Sequence, residues 1–187
     1  GRAAHGSRPV EGRDAILYMG RVLARLEAIG AGLMARPGHP LLGTASLHAS
    51  TIGGGRELSV YPDRCCLRFE RRTLTGESPD VALTEVQTAL VELGREDPEF
   101  EASVRQLFSR PAYEIPDDQP VCRALAQGLR RGGRDATLTG MSFWTDAAIL
   151  AQAGTPAVLF GPRGAGLHGR EEFVEIESVI VCRDTLV

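Results

Sequence analysis

Arg64-Cys-Cys-Leu-Arg-Phe-Glu-Arg-Arg72 alternates along its length: Cys65, Leu67 and Phe69 fall on one face, Cys66, Arg68 and Glu70 on the other. A period of two belongs to a strand in a sheet with one wet face. Upstream, Thr44–Gly54 (TASLHASTIGG) carries the same period, with Ala45, Leu47, Ala49 and Thr51 sharing a face. Two helical patterns bracket this pair. Arg13–Ile29 places Ile16, Leu17, Val22, Leu23, Leu26 and Ile29 on an amphipathic helix, and the Gly- and Pro-rich stretch Gly30–Gly43 reads as loop. The turn TGESPD then leads into a helix over Val81–Gly94, with Ser78 or Asp80 as its cap. A strand through Ala3–Ala4 and another over Phe100–Ile115, ended by Pro116, complete the order β-α-β-β-α-β. That is the split βαβ arrangement, an antiparallel sheet of four strands with two helices on one face.

Beyond Pro116 the pattern changes. Helices are expected over Pro120–Arg131 and Asp146–Ala153, with a short strand at Ala136–Gly140 between them. The very apolar strand Pro156–Phe160, a glycine-rich loop and a last helix over Glu175–Val187 follow. Helices alternating with short buried strands signal an α/β layer. Some seventy residues are too few to bury both faces of a parallel sheet unaided. The chain thus reads as one whole small domain, residues 1–115, followed by part of a larger one, residues 116–187.

Composition narrows the function. Hydrophobic residues make up 43% and charged residues 24% of the 187, an ordinary globular balance. The formal net charge of -3, without a block of one sign, argues against nucleic acid or an anionic membrane as partner. RNA binding on the sheet would need exposed aromatics and a basic face, and only 5% of residues are aromatic. No apolar run approaches the roughly 20 residues that span a bilayer. The start, GRAAHGSRP, has neither Met nor a signal-peptide core, and is expected to be a cut from something longer. Cys65, Cys66, Cys122 and Cys182 lack CxxC spacing and read as buried reduced thiols, which fits a cytoplasmic compartment.

Several residues could carry chemistry, each beside a plainer alternative. His168, in Gly161-Pro-Arg-Gly-Ala-Gly-Leu-His-Gly-Arg-Glu-Glu172, lies in a loop after a buried strand, where α/β sites sit. It is a metal ligand or a surface histidine. Asp146, beside the single Trp, is a site residue or a helix N-cap. His5 stands between a strand and a helix. Arg68, Arg71 and Arg72 offer bidentate carboxylate binding or a charged sheet edge. The glycines of GPRGAG, Gly161 and Gly164 among them, let backbone N–H groups approach a ligand, but no Gly-Lys-Ser/Thr follows, so a P-loop is excluded.

Taken in order, four stretches resemble the zinc-dependent aminoacylase and carboxypeptidase family of acetylornithine deacetylase, succinyl-diaminopimelate desuccinylase and glutamate carboxypeptidase. GRAAHGSRPVEGRDAI matches the family's G-x-x-x-H-x-x-x-P-x-x-G-x-(N/D)-A-I. GGGRELSVYP matches G-G-x-x-x-N-x-(I/V)-P, with Ser59 where many relatives have Asn. ERRTLTGE matches (D/E)-x-R-x-x-P-G-E, with Thr75 in place of Pro. TDAAILAQAGTPAVLFGPRGAGLHGREEFV matches the last stretch, which ends in H-x-x-(D/E)-E-x-(V/I).

The resemblance implies a ferredoxin-like lid that dimerises, followed by the C-terminal part of a zinc-binding α/β catalytic domain. His168 would then be the one metal ligand contributed from after the lid, with Glu172 and Asp146 supporting. His5 would reach the partner subunit's site and stabilise the oxyanion. Arg72 would grip the substrate carboxylate, with Ser59, Gly161 and Gly164 also lining the substrate. Two zinc ions per intact subunit are expected, cobalt or manganese being alternatives. The remaining ligands and the general base precede the lid in that family and are not in these 187 residues. The implied reaction is hydrolysis of the amide of a small N-acyl amino acid or peptide by a homodimer, with this piece inactive alone. The alternative is a non-catalytic dimerisation module of the same descent.

Overall fold

The computed structural model describes all 187 residues, in two compact units, Gly1–Pro111 and Ala112–Val187. In the first, helix α1 (Ala15–Met34) begins where the Asp14 carboxylate accepts hydrogen bonds from the N–H groups of Ile16 and Leu17, at 2.8 and 2.9 Å. Val22, Leu26 and Leu33 form its buried stripe. The helix runs five residues past the expected end at Ile29, through Gly30 and Gly32. Each glycine costs about 1 kcal/mol relative to alanine, and burying Leu33, 1% exposed, offsets that.

Strands β1 (Ser46–Gly54) and β2 (Cys65–Arg72) pair antiparallel from Ser46 opposite Arg72 to Gly54 opposite Cys65. The register shifts between Ala49 and Thr51, a bulge that breaks the alternation of β1. On β2, Leu67 and Phe69 pack inward as the alternation requires. They meet a core of Val22, Leu26, Val86, Leu93 and Phe100. Helix α2 (Val81–Glu96) buries Val86, Ala89 and Leu93 beside α1. Its N-cap residue, Asp80, makes no side-chain capping bond; the N–H of Val81 is taken by the carbonyl of Ser78 at 3.0 Å. Beyond its C-terminus, Asp97 accepts from Arg21 of α1 at 2.7 Å, and that guanidinium holds its carboxyl below the usual range.

The mixed α/β character and the central helix–strand–strand–helix order are as expected. The outer strands differ. Ala3–Ala4 is flanked only by isolated bridges, Arg2 with Arg13 and His5 with Val60. Residues 101–115 form no strand. Their apolar residues, Val104, Leu107 and Phe108, do not alternate, Leu107 and Phe108 are both exposed, and Pro111 lacks an N–H for a ladder. Only Val104 joins the core.

The second unit holds α3 (Pro120–Arg131), α4 (Ala147–Gln152), a small hairpin β3 (Gly164–Ala165) with β4 (Phe173–Val174), and α5 (Ile176–Leu186). α3 packs on α5 at Gly128, where a Cβ would sit 2.6 Å from the carbonyl oxygen of Thr185. Tyr113 ties down the 156–160 segment, its hydroxyl donating to the carbonyl of Ala157 at 2.8 Å. The strands expected at Ala136–Gly140 and Pro156–Phe160 carry no ladder, because no neighbouring strand pairs with their backbones. Only Ala147 and Ala148 of this unit are fully buried; Leu125, Leu129, Val158 and Phe160 are half-buried, and Phe173, Ile176 and Leu186 are exposed. No helix of the chain is long and apolar enough to cross a membrane.

Candidate functional site

In the first unit the expected residues fall at two places. His5 is exposed and bridges Val60, and the N–H of Gly6 donates to the carbonyl of Ser59 at 2.7 Å, so His5 and Ser59 lie on adjoining backbones. The Nδ1 of His5 is 2.8 Å from the hydroxyl of Ser7 and accepts from the Ser7 N–H at 3.2 Å. Its Nε2 has no protein partner. Arg72 lies at the far end of β2, its side chain 49% exposed and its Nε 2.5 Å from the Glu70 carboxylate. An exposed pair of this kind contributes little and is readily exchanged for another carboxylate.

The arginine that the fold buries is Arg71. It falls on the inward face with Leu67 and Phe69, its side chain 1% exposed. Its guanidinium makes two bonds to Glu77, at 2.7 and 2.5 Å, two to Glu85 at 3.2 Å, and one to the carbonyl of Arg72 at 2.8 Å. Glu77 also accepts from the N–H of Leu74 at 2.7 Å, which closes the turn after Arg72. The Arg71 guanidinium holds the Glu77 carboxyl below the usual carboxylate range, and Arg71 is raised in turn, by its hydrogen bond to Glu77 first. The residue type and the strand parity were both in the sequence; they point to Arg71 as the structural arginine and leave Arg72 outside.

A cleft of about 320 Å³ sits at the loop end of the β1–β2 hairpin, lined by Gly53–Gly55, Arg56, Asp63, Arg64 and Cys66. It contains none of the expected site residues. Cys66 is exposed there and its Sγ is 3.2 Å from Nε of Arg64, whereas Cys65, Cys122 and Cys182 are half-buried. The expectation of four buried thiols therefore fails at Cys66, because alternation on β2 turns it to the wet face.

In the second unit, His168 occupies the loop between β3 and β4. Its φ of 60° is the only left-handed value at a non-glycine residue of the chain. The N–H of Gly169 donates to the carbonyl of Gly166 at 2.6 Å, so His168 is the third residue of a tight turn that demands this conformation. The imidazole is exposed and makes no hydrogen bond or ion pair within the protein. Gly164 and Gly166 are required by crowding: added Cβ atoms would lie 2.2 Å from the carbonyl oxygen of Phe173 and 2.0 Å from that of Glu171. Gly161 has open space instead.

The base of this hairpin is tied to α5. The N–H of Arg163 donates to the Ser178 hydroxyl at 3.0 Å, that of Glu175 to the carbonyl of Arg163 at 2.9 Å, and the Arg163 guanidinium pairs with Glu175 at 2.8 Å. Glu172, expected to support the loop, makes no such contact; Glu175 and Ser178 do so. Asp146 precedes α4 without a side-chain capping bond, because its φ and ψ are already helical. The hydroxyl of Thr145 accepts from the N–H of Ala147 instead, at 3.4 Å.

Residues 1–98 match the peptidase dimerisation domain of the M20 family. The chain belongs to that family. The motif resemblance to zinc aminoacylases and carboxypeptidases is thereby borne out. The chain is 29% identical to an acetylornithine deacetylase of Myxococcus xanthus, over 100% of its own length and 48% of the relative's. It is 25% identical to an N-formyl-4-amino-5-aminomethyl-2-methylpyrimidine deformylase of Bacillus subtilis, over 94% of the chain and 45% of that protein. Among solved structures, aminopeptidase PepT of Bacillus cereus shares the fold with a TM-score of 0.72 at 18% identity, covering 100% of this chain and 47% of that one. An M20 family metallo-carboxypeptidase of Sulfolobus solfataricus aligns with a TM-score of 0.69 at 10% identity, covering 99% and 54%. The chain spans about half the length of the relatives it matches.

No three His, Cys, Asp or Glu side chains come together, and a zinc site needs three protein ligands besides water. His168 fits as one donor of a larger set, since its imidazole is unencumbered and its loop is held at the base.

Proposed function

We propose that this chain is the dimerising lid, residues 1–115, and the C-terminal part of the catalytic domain, residues 116–187, of a metal-dependent amidohydrolase. The substrate class is a small N-acyl amino acid or peptide whose amide is hydrolysed, and the working form is a cytoplasmic homodimer. The observation that carries the reading is His168: a bare imidazole held in a costly left-handed turn whose base is tied to α5. Strain of this sort, on the order of 1–3 kcal/mol, is retained where function needs it.

When bound, a pair of zinc ions (or cobalt or manganese) supplies Lewis acidity and a water of lowered pKa. His168 provides one nitrogen donor to that set. His5 donates a hydrogen bond to the oxyanion of the scissile carbonyl in the partner subunit's site; such donors contribute on the order of 2.7–4 kcal/mol. Arg72 exchanges Glu70 for the substrate carboxylate, while Ser59 and the backbone at Gly161 and Gly164 line the substrate. The remaining ligands and the base come from residues outside this chain, so the chain alone is inactive and binds zinc weakly.

The decisive test uses the intact protein. Zinc affinity and hydrolysis of a panel of N-acyl amino acids are measured for the wild type and for His168→Ala and His5→Ala. The reading requires that His168→Ala weaken zinc binding and that His5→Ala lower kcat with zinc retained. Full zinc affinity in His168→Ala would sink the ligand assignment. A wild-type protein that dimerises but hydrolyses nothing would favour the second reading, a dimerisation module without catalysis.

A further inference from the structure

The contacts of His5 determine more than its position. Its Nδ1 receives the backbone N–H of Ser7 at 3.2 Å and lies 2.8 Å from the Ser7 hydroxyl. A backbone N–H can only donate, so the Nδ1 it points at carries a lone pair and no proton. In a neutral imidazole the proton must then sit on Nε2, because one ring nitrogen donates and the other accepts. With Nδ1 unprotonated, the Ser7 hydroxyl 2.8 Å away donates to it as well. Which nitrogen is protonated is set by the hydrogen bond the other one makes. Nε2 is left exposed and without a protein partner, as an N–H directed outward.

We infer that Ser7 is a positioning residue that locks His5 as the neutral Nε2–H tautomer, so that His5 presents a hydrogen-bond donor without having to be charged. The opposite tautomer would expose a lone pair at Nε2 and repel the oxygen of a bound carbonyl, carboxylate or oxyanion. The ring is held at Nδ1 by a residue only two positions away, on a segment whose backbone is fixed by the bonds from Gly6 to Ser59 and from Tyr61 to Ala4, at 2.7 and 2.8 Å. The tautomer is therefore pre-set by local structure before any ligand arrives. The functional value of the lock rests on the proposed role of His5 as a donor to the substrate oxygen, but the lock itself is a property of this chain.

The test is long-range proton–nitrogen NMR on the chain labelled with ¹⁵N-histidine, at a pH where the imidazoles are neutral. The His5 signals are assigned by their loss in His5→Gln, which separates them from His39, His48 and His168. The expected spectrum shows Nδ1 as the unprotonated nitrogen and Nε2 as the protonated one. Ser7→Ala keeps the backbone N–H but removes the nearer hydroxyl contact, so it should draw the two nitrogen shifts part of the way toward each other, and Ser7→Thr, which keeps a hydroxyl, should restore them. A protonated Nδ1 in the wild type, or a Ser7→Ala spectrum identical to wild type, overturns the inference. In the intact protein Ser7→Ala should lower kcat about fivefold with KM little changed, the factor expected for one hydrogen bond. If His5→Ala leaves kcat untouched while the NMR result holds, the catalytic reading of His5 falls and the tautomer lock stands.

Discussion

Arg71 and Glu77 face each other across the turn that follows β2, joined by two hydrogen bonds of 2.5 and 2.7 Å, with the arginine side chain 1% exposed. Glu85 of α2 closes on the same guanidinium from the other side. One cation thus binds the end of a strand, a turn and a helix together, and the turn it fixes is the one that follows Arg72. Both carboxylates keep some exposure to water, which lowers the desolvation cost that a fully buried cluster would meet.

Removing the cation should therefore be costly. Arg71→Met leaves Glu77 and Glu85 with only the exposed Arg36, 3.7 Å from Glu85, as counter-charge, and losing one partner of a buried pair destabilises by about 3–5 kcal/mol. Their partial exposure puts the expected value at the lower end, about 3 kcal/mol. Urea unfolding of wild type and variant reads it directly. A loss below 1 kcal/mol would mean that the cluster is solvated and contributes little.

Acid should act on the same cluster. The Glu77 carboxyl is held below its ordinary value of 4.5 by its bond to Arg71, so the folded state binds fewer protons than the unfolded state over the interval between the two values. Stability from this source is complete above the ordinary carboxylate range and is lost as pH falls through the depressed folded value. The stability difference between wild type and Glu77→Gln should accordingly shrink below about pH 4. A difference that is constant from pH 7 to pH 3 would contradict the assignment.

The two neighbouring thiols should differ in reactivity. Burial, with the nearby Cys66 and Asp14 adding to it, pushes the Cys65 thiol up, and its side chain faces the interior of the hairpin. Cys66 is exposed at the cleft mouth beside Arg64. Since the thiolate is the nucleophile, iodoacetamide at neutral pH should modify Cys66 well before Cys65, as peptide mass spectrometry would show. Equal rates would mean that the strand does not hold the two on opposite faces.

Sequence periodicity located α2, α3, α4, α5 and the β1–β2 pair because each has its own hydrophobic stripe or alternation, whereas the cap of α1, Asp14, emerged only with the structure. It failed where tertiary packing or pairing decides. Leu33 pulls α1 through two glycines, and the 156–160 segment is apolar without a strand beside it. In the site regions His168 stood out as a histidine in a glycine-rich loop, and His5 only through the motif that surrounds it. Their supports, Ser7, Ser178 and Glu175, were invisible because a hydroxyl or carboxylate a few residues away has no signature until the backbone folds. Arg71 was readable from parity alone, since it continues the face of Cys65, Leu67 and Phe69, but a charged residue at an inward position runs against the usual placement.

The left-handed turn at His168 should cost stability that glycine would recover. A side chain with a Cβ costs roughly 1–2 kcal/mol at such a φ, whereas glycine adopts it freely. Glycine also gains freedom in the unfolded chain, which returns about 0.4–1 kcal/mol of that benefit. His168→Gly in the metal-free protein is thus expected to raise stability by up to about 1 kcal/mol. His168→Ala keeps the Cβ and so keeps the strain, and should leave stability near that of wild type. Thermal unfolding of the three proteins separates the cases, and zinc titration of the intact protein should show both variants weakened alike. If His168→Gly is the less stable of the two variants, the turn is not strained by its histidine. The conformation would then no longer argue for a function selected against stability.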